Sequence, residues 1–314
     1  MNSEFIIKDG PCKEYHASTL VHTPTGLLAA FFGGSGEHNS DVCIWTSKRV
    51  DSVWTDPRIV ARGIGPDHQE YCCWNPVLFR TSSGVTYLFY KVGPNPNAWW
   101  GMMKRSSDDG ASWSEAEHLP SGILGPIKNK PIELPNGTIL CPSSSQDTGW
   151  KIHVETFRNG VWSRSSPLCD GKSFQAIQPT ALYYPPSRIE LLSRTTQGVI
   201  GANISNNLGV TWSDMCRTTL PNPNSGIDAI VHSTGIAYLA YNHATVAPGT
   251  VLGPRTPLCI AIRTKPDNAW EPLCTLEDSD GEYSYPAIIE LPGGMIAISY
   301  TFNRTSLKVV YLRP

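Results

Sequence analysis

The most informative feature of this sequence is a short apolar hairpin pattern that occurs six times. In each copy an apolar run meets a tight turn and a second apolar run follows, as in residues 18–32 and 76–90. The turns fall near Gly26, Gly84, Gly137, Ser187, Gly235 and Gly294, so the unit recurs about every 48 to 59 residues. Alternating β-branched and aromatic residues around a tight turn predict paired, half-buried strands, and no long stretch has a 3.6-residue period.

A second pattern repeats in step with the hairpins. Five tryptophans each follow a hairpin: Trp54, Trp113, Trp162, Trp212 and Trp270. Two of the turns before them, residues 106–113 and 205–212, both read S-x-D/N-x-G-x-x-W. In such a turn Asp or Asn bonds its own backbone, Gly supplies a positive φ, and Trp packs between sheets. Units of this length and composition predict an all-β, six-bladed β-propeller of four-stranded antiparallel sheets, forming one domain over residues 1–314.

The sixth unit has no turn of this kind, so we expect an N-terminal strand near residues 4–7 to complete the last blade and close the ring. The 27 Gly and 26 Pro suit a fold rich in turns. A formal net charge of −2 without basic runs argues against nucleic-acid or anionic-membrane binding. No apolar stretch reaches membrane-spanning length, and the first twelve residues lack the apolar core of a signal peptide.

The nine cysteines are an odd number without C-x-x-C spacing, and Cys43, Cys141 and Cys259 lie within apolar runs. Reduced core thiols are therefore expected, which predicts a cytoplasmic protein, or a secreted one whose signal has been removed. The adjacent Cys72 and Cys73 are a weaker metal-ligand candidate, because no His with suitable spacing accompanies them. We predict neither a metal nor an organic cofactor.

Polar residues precede the first strand of each unit, where the innermost strands of a propeller meet the central channel. These residues are Tyr15, His16, Trp74, Asn75, Lys128, Asn129, Lys130, Gln175, Gln178, Asn224, Asp228, Tyr283 and Tyr285. Functional groups from six separate segments can surround a small polar ligand, so we predict a binding site at the mouth of the channel. The alternative is that these side chains hold loops around a water-filled channel.

The two S-x-D/N-x-G-x-x-W turns and the sixfold spacing resemble the Asp-box repeats of the sialidase superfamily of six-bladed propellers. The resemblance implies three arginines that bind a substrate carboxylate, a Tyr nucleophile assisted by a Glu, and an Asp that protonates the leaving group. Tyr283 resembles the nucleophile, with Tyr285 as the alternative, and Arg194 and Arg255 resemble two of the arginines. Arginine suits this role because its planar fork makes two parallel hydrogen bonds to a carboxylate. The alternative for each arginine is a salt bridge on the rim.

The chain departs from the family pattern at two positions. His16 stands where the first arginine is expected, and Gln178 stands where the Glu that activates tyrosine is expected. A neutral amide cannot remove a phenol proton, whose pKa is ordinarily near 10. We therefore expect Lys128, Lys130 or Arg194 to supply a positive field and His16 to act as the base.

The loop after the first hairpin offers Glu37 or Asp41 as the general acid. Asn75 and Asp228 are further candidates for substrate binding at the channel mouth. Trp100, beside Trp99 at the end of a Pro/Asn loop, could stack on a sugar face, or could simply pack between blades.

Three functions remain open from the sequence. The favoured one is a sialidase-like exo-glycosidase that hydrolyses a terminal acidic sugar from a carbohydrate carrying a carboxylate. The second is a lyase that cleaves a uronic acid glycoside by β-elimination, with His16 as base and Tyr283 as acid. The third is a propeller that binds carbohydrate or protein without catalysis.

Overall fold

The computed structural model describes residues 1–314, and its regular structure consists of 25 β-strands in six antiparallel sheets, called blades 1 to 6 in chain order. The first strand, β1 (Asn2–Ile7), belongs to blade 6. Blade 1 contains β2 (Glu14–Thr23), β3 (Gly26–Gly34), β4 (Cys43–Val50), β5 (Val53–Trp54) and β6 (Arg58–Ala61), and blade 2 contains β7 (Cys73–Arg80), β8 (Thr86–Val92), β9 (Trp100–Ser106) and β10 (Glu117–His118). Blade 3 contains β11 (Ile132–Glu133), β12 (Ile139–Ser145), β13 (Lys151–Arg158) and β14 (Val161–Arg164), and blade 4 contains β15 (Ala176–Tyr184), β16 (Arg188–Thr195), β17 (Val199–Ser205) and β18 (Cys216–Pro221). Blade 5 contains β19 (Asp228–Val231), β20 (Ala237–Asn242), β21 (Leu258–Arg263) and β22 (Glu271–Glu277), and blade 6 contains β23 (Tyr283–Glu290), β24 (Ile296–Phe302) and β25 (Ser306–Leu312) with β1.

The blades form a ring around a central axis. The first strand of each blade is innermost, since β2 contacts both β7 and β23, and β19 contacts both β15 and β23. One apolar cluster fills each of the six spaces between neighbouring blades, and the largest joins blades 1 and 2 around Phe32 and Trp74. The predicted six-bladed β-propeller is therefore confirmed.

The N-terminal strand closes the ring. β1 pairs with β25 at the outer edge of blade 6, in the register that aligns Glu4 with Val309. The Glu4 carboxylate accepts hydrogen bonds from Arg49 Nε (2.5 Å), Trp54 Nε1 (2.9 Å) and Tyr311 Oη (2.6 Å), and so links blade 6 to blade 1. Closure by the N-terminal strand agrees with the expectation from the sequence.

The two S-x-D/N-x-G-x-x-W turns, residues 106–113 and 205–212, have the geometry that their residues predict. Asp108 Oδ1 accepts hydrogen bonds from Ser112 N (2.8 Å) and Ser106 Oγ (2.7 Å), and Gly110 has a φ of +82°. Asn207 repeats the arrangement by accepting from Thr211 N (2.9 Å). The turns lie on the outer parts of blades 2 and 4, away from the axis.

The innermost strands of four blades are interrupted at equivalent places. The register shifts within β2, β7, β15 and β23, and a non-glycine residue with positive φ occurs at each shift: Ala17, Asn75, Gln178 and Tyr285. A proline follows three of these four residues, which suits a point where the hydrogen-bonded ladder is broken. A bulge of this kind re-aims side chains, and here it turns them toward the axis.

All nine cysteines are free thiols. Cys43 and Cys141 are buried as expected from the sequence, whereas Cys259 is half-buried. Cys72 and Cys73 are both buried, and burial raises the pKa of the Cys72 thiol to about 12. The structure contains no helix with the length and apolar character needed to span a membrane.

Candidate active site

A cluster of polar side chains, which we call the hub, lies where the inner strands converge. The hub comprises His16, Lys128, Gln178, Arg194, Arg255 and Tyr285. Its centre is the phenol of Tyr285, whose oxygen accepts hydrogen bonds from Arg194 Nη1 (3.2 Å) and Gln178 Nε2 (3.3 Å). Arg194 Nη1 also donates to Gln178 Oε1 (3.2 Å), which holds the three side chains together. Negative charge that develops on this phenol oxygen would be stabilised by two N–H donors and one positive charge.

The bulges explain why these side chains meet. Arg194 is opposite Ile177 in the β15–β16 ladder, immediately before the bulge at Gln178. The second bulge is at Tyr285 in β23. The two bulges turn Gln178 from blade 4 and Tyr285 from blade 6 toward each other across the channel.

Arg194, Lys128 and Arg255 have no carboxylate within salt-bridge distance. Arg194 is 6% exposed and Lys128 is 5% exposed, and Arg255 is half-buried. The Arg194 Cζ and Lys128 Nζ atoms lie 5.9 and 5.8 Å from the centre of the Tyr285 ring. Arg194 Nε is buried without a hydrogen-bond partner. Buried cations are normally paired, so this excess of positive charge indicates a site for an anionic ligand.

The surroundings of Lys128 lower the pKa of its ammonium group. Its ammonium group donates to Asn129 Oδ1 (2.8 Å) and to the carbonyl oxygens of Ile227 (3.1 Å) and Pro286 (2.5 Å). Burial lowers the pKa of Lys128 to about 7; the negative charge of Asp228 opposes this shift, and the positive charges of Lys130 and Arg194 add to it. Burial and the charge of Arg194 also lower the pKa of Arg255.

The ring of His16 contacts that of Tyr285, with 4.2 Å between the ring centres. Its Nδ1 forms a hydrogen bond of 2.8 Å with Thr301 Oγ1, and its Nε2 has no hydrogen-bond partner within the protein. Burial holds the pKa of His16 well below 6.5, and the positive charges of Arg304 and Arg255 lower it further. His16 is therefore a neutral imidazole at neutral pH, and its burial and the nearby positive charges make its protonation unfavourable.

Arg304, which sequence reasoning missed, borders the hub. It lies in the turn between β24 and β25, and its Nε donates to Glu282 (3.0 and 3.1 Å) while its Nη1 donates to Glu37 (2.6 Å). It is the largest electrostatic influence on His16 after burial. The sequence near Arg304 offers no signal of this role, because Glu37 is 267 residues away along the chain.

The two candidate tyrosines have different surroundings. Tyr283 is 3% exposed and belongs to the apolar cluster between blades 5 and 6, where its ring lies 5.2 Å from that of Phe302. Tyr285 is in the hub. Residues two apart on a regular strand share a face, but the bulge between Ser284 and Ala287 separates these two tyrosines. The alternative nucleophile, rather than the first choice, is the one beside Arg194.

The two candidate acids are on the loop after β3. Glu37 is half-buried and is paired with Arg304, which connects it to the edge of the hub. Asp41 is exposed, and its carboxylate accepts from Ser35 N and Ser35 Oγ, both at 2.9 Å. Asp41 therefore has a role in holding the loop, and Glu37 is the candidate that is linked to the hub, through Arg304.

Lys130 and Asp228 are paired with each other, with 2.8 Å between Lys130 Nζ and Asp228 Oδ2. Asp228 also accepts from Thr180 Oγ1 (2.7 Å) and Ile288 N (3.0 Å). These contacts join blades 3, 4, 5 and 6 within the channel. Lys130 and Asp228 thus neutralise each other, whereas the cations of the hub have no carboxylate within salt-bridge distance.

Asn75 lies on the innermost strand of blade 2, whereas Trp100 lies on β9, farther out in the same blade. Asn75 is 5% exposed, is at the blade 2 bulge and forms no side-chain hydrogen bond within the protein. Trp100 lies toward the outer side of blade 2, stacked on His118 with 5.8 Å between ring centres, and is outside the hub.

Comparison with solved structures finds the same fold in proteins of low sequence identity. The Hadza microbial sialidase Hz136 has a TM-score of 0.79 and 16% identity, covering 96% of this chain and 66% of that chain. The intramolecular trans-sialidase from Ruminococcus gnavus has a TM-score of 0.77 and 14% identity, covering 99% and 97%. A protein of unknown function from Dyadobacter fermentans has a TM-score of 0.81 and 16% identity, covering 100% and 98%. The chain thus spans slightly less than two thirds of the Hz136 chain.

These features define a six-bladed β-propeller, the fold that this chain shares with the solved sialidases. The family model described as "BNR repeat-like domain" matches residues 25–298, and the chain belongs to that family. A comparison with curated protein sequences finds no match. The β-elimination alternative gains no support from these comparisons.

Proposed function

We propose that this protein is a sialidase-like exo-glycosidase that hydrolyses a terminal acidic sugar. One observation carries the proposal: the cations of Arg194, Lys128 and Arg255 converge beside Tyr285 without a carboxylate partner. A sugar carboxylate is the anion that would neutralise them, and Arg194 and Arg255 can bind it through paired, charge-assisted hydrogen bonds. Sialidases among the similar structures support the same substrate class.

In the proposed mechanism Tyr285 is the nucleophile. His16, whose ring centre lies 4.2 Å from that of Tyr285, is the proposed acceptor of the phenol proton, and the two N–H donors from Arg194 and Gln178 stabilise the phenolate that forms, which offsets the low basicity of the buried imidazole. The phenolate attacks the anomeric carbon and the glycosidic bond breaks, while a carboxylic acid protonates the leaving oxygen. Glu37 and Asp41 are the candidates for this acid. Water then hydrolyses the glycosyl-tyrosine bond and releases the acidic sugar.

The test compares two matched tyrosine variants. Tyr285→Phe should abolish turnover of the substrate while retaining binding of the acidic sugar, because only the reacting oxygen is removed. Tyr283→Phe is the control, since its ring lies in the apolar core and its turnover should stay within a few-fold of the unmodified protein. Release of the sugar from sialosides, glycosides of ketodeoxy sugar acids and uronides would be followed by mass spectrometry.

Unchanged turnover in Tyr285→Phe would remove Tyr285 from the mechanism. A product that carries a new C=C bond, detected by its ultraviolet absorbance, would replace hydrolysis with elimination.

A further inference from the structure

Two fully buried charged side chains, one in blade 2 and one in blade 3, take no part in the proposed mechanism. Lys91 is on β8 and Glu155 is on β13, and both residues are 0% exposed. Burying a charged group is costly, and well-packed apolar residues often give equal or greater stability in its place. Lys91 and Glu155 are therefore candidates for a role in fixing one particular conformation of the chain around them.

The Glu155 carboxylate binds the backbone of the loop between β10 and β11. Its Oε2 accepts a hydrogen bond from Gly125 N (2.6 Å), and both of its oxygens accept from Leu124 N (3.0 and 3.1 Å). His153 Nε2 donates to Glu155 Oε1 (2.9 Å), which orients the carboxylate. Two backbone N–H groups of an irregular segment thus have a charged acceptor, which binds them more strongly than a neutral carbonyl would.

Lys91 binds the next residue of the same segment. Its ammonium group donates a hydrogen bond to the carbonyl oxygen of Pro126. Ile127, which follows, is fully buried, and its N–H donates to the carbonyl oxygen of Pro142 on β12 (3.3 Å). Each of residues 124–127 is therefore held by a hydrogen bond from blade 2 or blade 3.

Lys128 directly follows this segment and belongs to the hub. Its Nζ donates to the carbonyl oxygen of Ile227, immediately before β19 (3.1 Å), and to that of Pro286 within β23 (2.5 Å). The same atom lies 5.8 Å from the centre of the Tyr285 ring. A lysine side chain is long and flexible, so its ammonium group stays at one buried place only if the backbone that carries it is fixed.

We propose that Glu155 and Lys91 are positioning residues for Lys128, because their hydrogen bonds to residues 124–126 fix the backbone that presents its ammonium group to the hub. The part that Lys128 plays in binding an acidic sugar rests on the proposed function. The position of its ammonium group can nevertheless be tested without any ligand.

The experiment measures the pKa of Lys128 by NMR in the full chain, labelled with ¹³C at the lysine Cε atoms. The Lys128 signal is the one that is absent from Lys128→Met. In the unmodified protein it should titrate near pH 7, because the ammonium group is buried. In Glu155→Gln the pKa of Lys128 should rise above about 8, toward its ordinary value near 10.4, because the released segment lets the ammonium group reach water.

The sign of this change distinguishes displacement from a direct effect of charge. Loss of a carboxylate without movement would lower the pKa of an ammonium group, because the carboxylate favours its charged form. The charges that act most on Lys128 are those of Asp228, Lys130 and Arg194, and all three remain in Glu155→Gln. A rise in the pKa of Lys128 therefore reports a change in its position.

Glu190→Gln is the matched control. Glu190 is also buried, but it pairs with Arg263 of blade 5, so its replacement should lower stability without releasing residues 124–127. The pKa of Lys128 should stay within about 0.3 of the unmodified value in this variant. The proposal would be overturned by a Lys128 pKa near 10 in the unmodified protein, by an unchanged or lowered pKa in Glu155→Gln, or by an equal rise in Glu190→Gln.

If Glu155→Gln does not fold, Lys91→Met serves instead. Methionine fills much of the same space and removes only the donor to Pro126, and such replacements of buried charges are often tolerated. The pKa of Lys128 should rise in this variant as well, and an unchanged pKa would overturn the proposal.

Calorimetric titration of N-acetylneuraminate at pH 6, where Lys128 is charged in both proteins, tests the link to the hub. Glu155→Gln should bind at least about threefold more weakly than the unmodified protein, because its ammonium group is no longer held in place beforehand. Equal affinity would overturn the link between Glu155 and the anion site. Failure of the proposed function would instead appear as no binding to the unmodified protein, while the pKa of Lys128 still rises in Glu155→Gln.

Discussion

The buried guanidinium of Arg194 supplies the sharpest test of an anion site. Arg194 is 6% exposed, has no carboxylate partner and leaves its Nε unpaired. Removing one partner of a desolvated, hydrogen-bonded charge pair costs about 2 to 5 kcal/mol. Arg255 and Lys128 would still hold the carboxylate in Arg194→Met, so the loss should fall near the lower end, about 2 to 3 kcal/mol. This corresponds to about a 30- to 150-fold weaker affinity.

The assay is calorimetric titration of acidic monosaccharides, N-acetylneuraminate and glucuronate, into both proteins. Arg188→Met is the matched control, because Arg188 lies on the same strand and pairs with exposed Asp267 at 2.8 Å. Its affinity should change less than twofold. The free energy of unfolding of ligand-free Arg194→Met should change by no more than about 1 kcal/mol, since an unpaired charge is removed along with its hydrogen bonds. Affinity within threefold of the unmodified protein would refute the assignment of Arg194 as an anion-binding residue.

Three further predictions follow from paired and titrating groups. Arg263, which is buried and paired with Glu190, should behave oppositely to Arg194: Arg263→Met should lower the free energy of unfolding by about 3 to 5 kcal/mol in urea titrations, and a loss below 1 kcal/mol would contradict this. Because burial holds the pKa of His16 below 6.5 in the folded state, the unfolded chain binds the extra proton, so stability should be fully present above about pH 6.5 and fall as the pH is lowered. Urea unfolding between pH 7.5 and 5 should show a weaker decline in His16→Asn, and an identical decline would exclude this contribution. Binding of a carboxylate should raise the pKa of Lys128 from about 7, so calorimetry at pH 8 in buffers of different ionisation enthalpy should detect proton uptake, absent in Lys128→Met. Equal proton uptake in Lys128→Met and in the unmodified protein would show that a group other than Lys128 takes up the proton.

Much of the fold could be predicted because it is specified locally. The hairpins follow from alternating apolar residues around turns, and the Asp108 turn bonds its own backbone within four residues. Closure by β1 followed from the missing strand of the last unit. The hairpins and turns depend on neighbouring residues, so the sequence displays them directly, whereas closure was inferred from the count of strands, because β1 and β25 lie at opposite ends of the chain.

The candidate site could be predicted only in part. The strand entries indicated His16 and Gln178, the resemblance to sialidases indicated Arg194, and the structure brings all three to Tyr285. The strand pattern did not distinguish Tyr285 from Tyr283, because the β23 bulge that separates them has no clear signature beyond the following proline.

The sequence by itself determined the repeating hairpins and the turns, because alternation and turn chemistry act over a few residues, and the strand missing from the sixth unit indicated how the ring closes. Only the tertiary structure decided which charges are compensated. Lys130 is neutralised by Asp228 and Arg304 by Glu37, whereas Arg194 has no such partner. Partners 98 and 267 residues apart meet only after the ring has closed, so the residual positive charge beside Tyr285 is a property of packing.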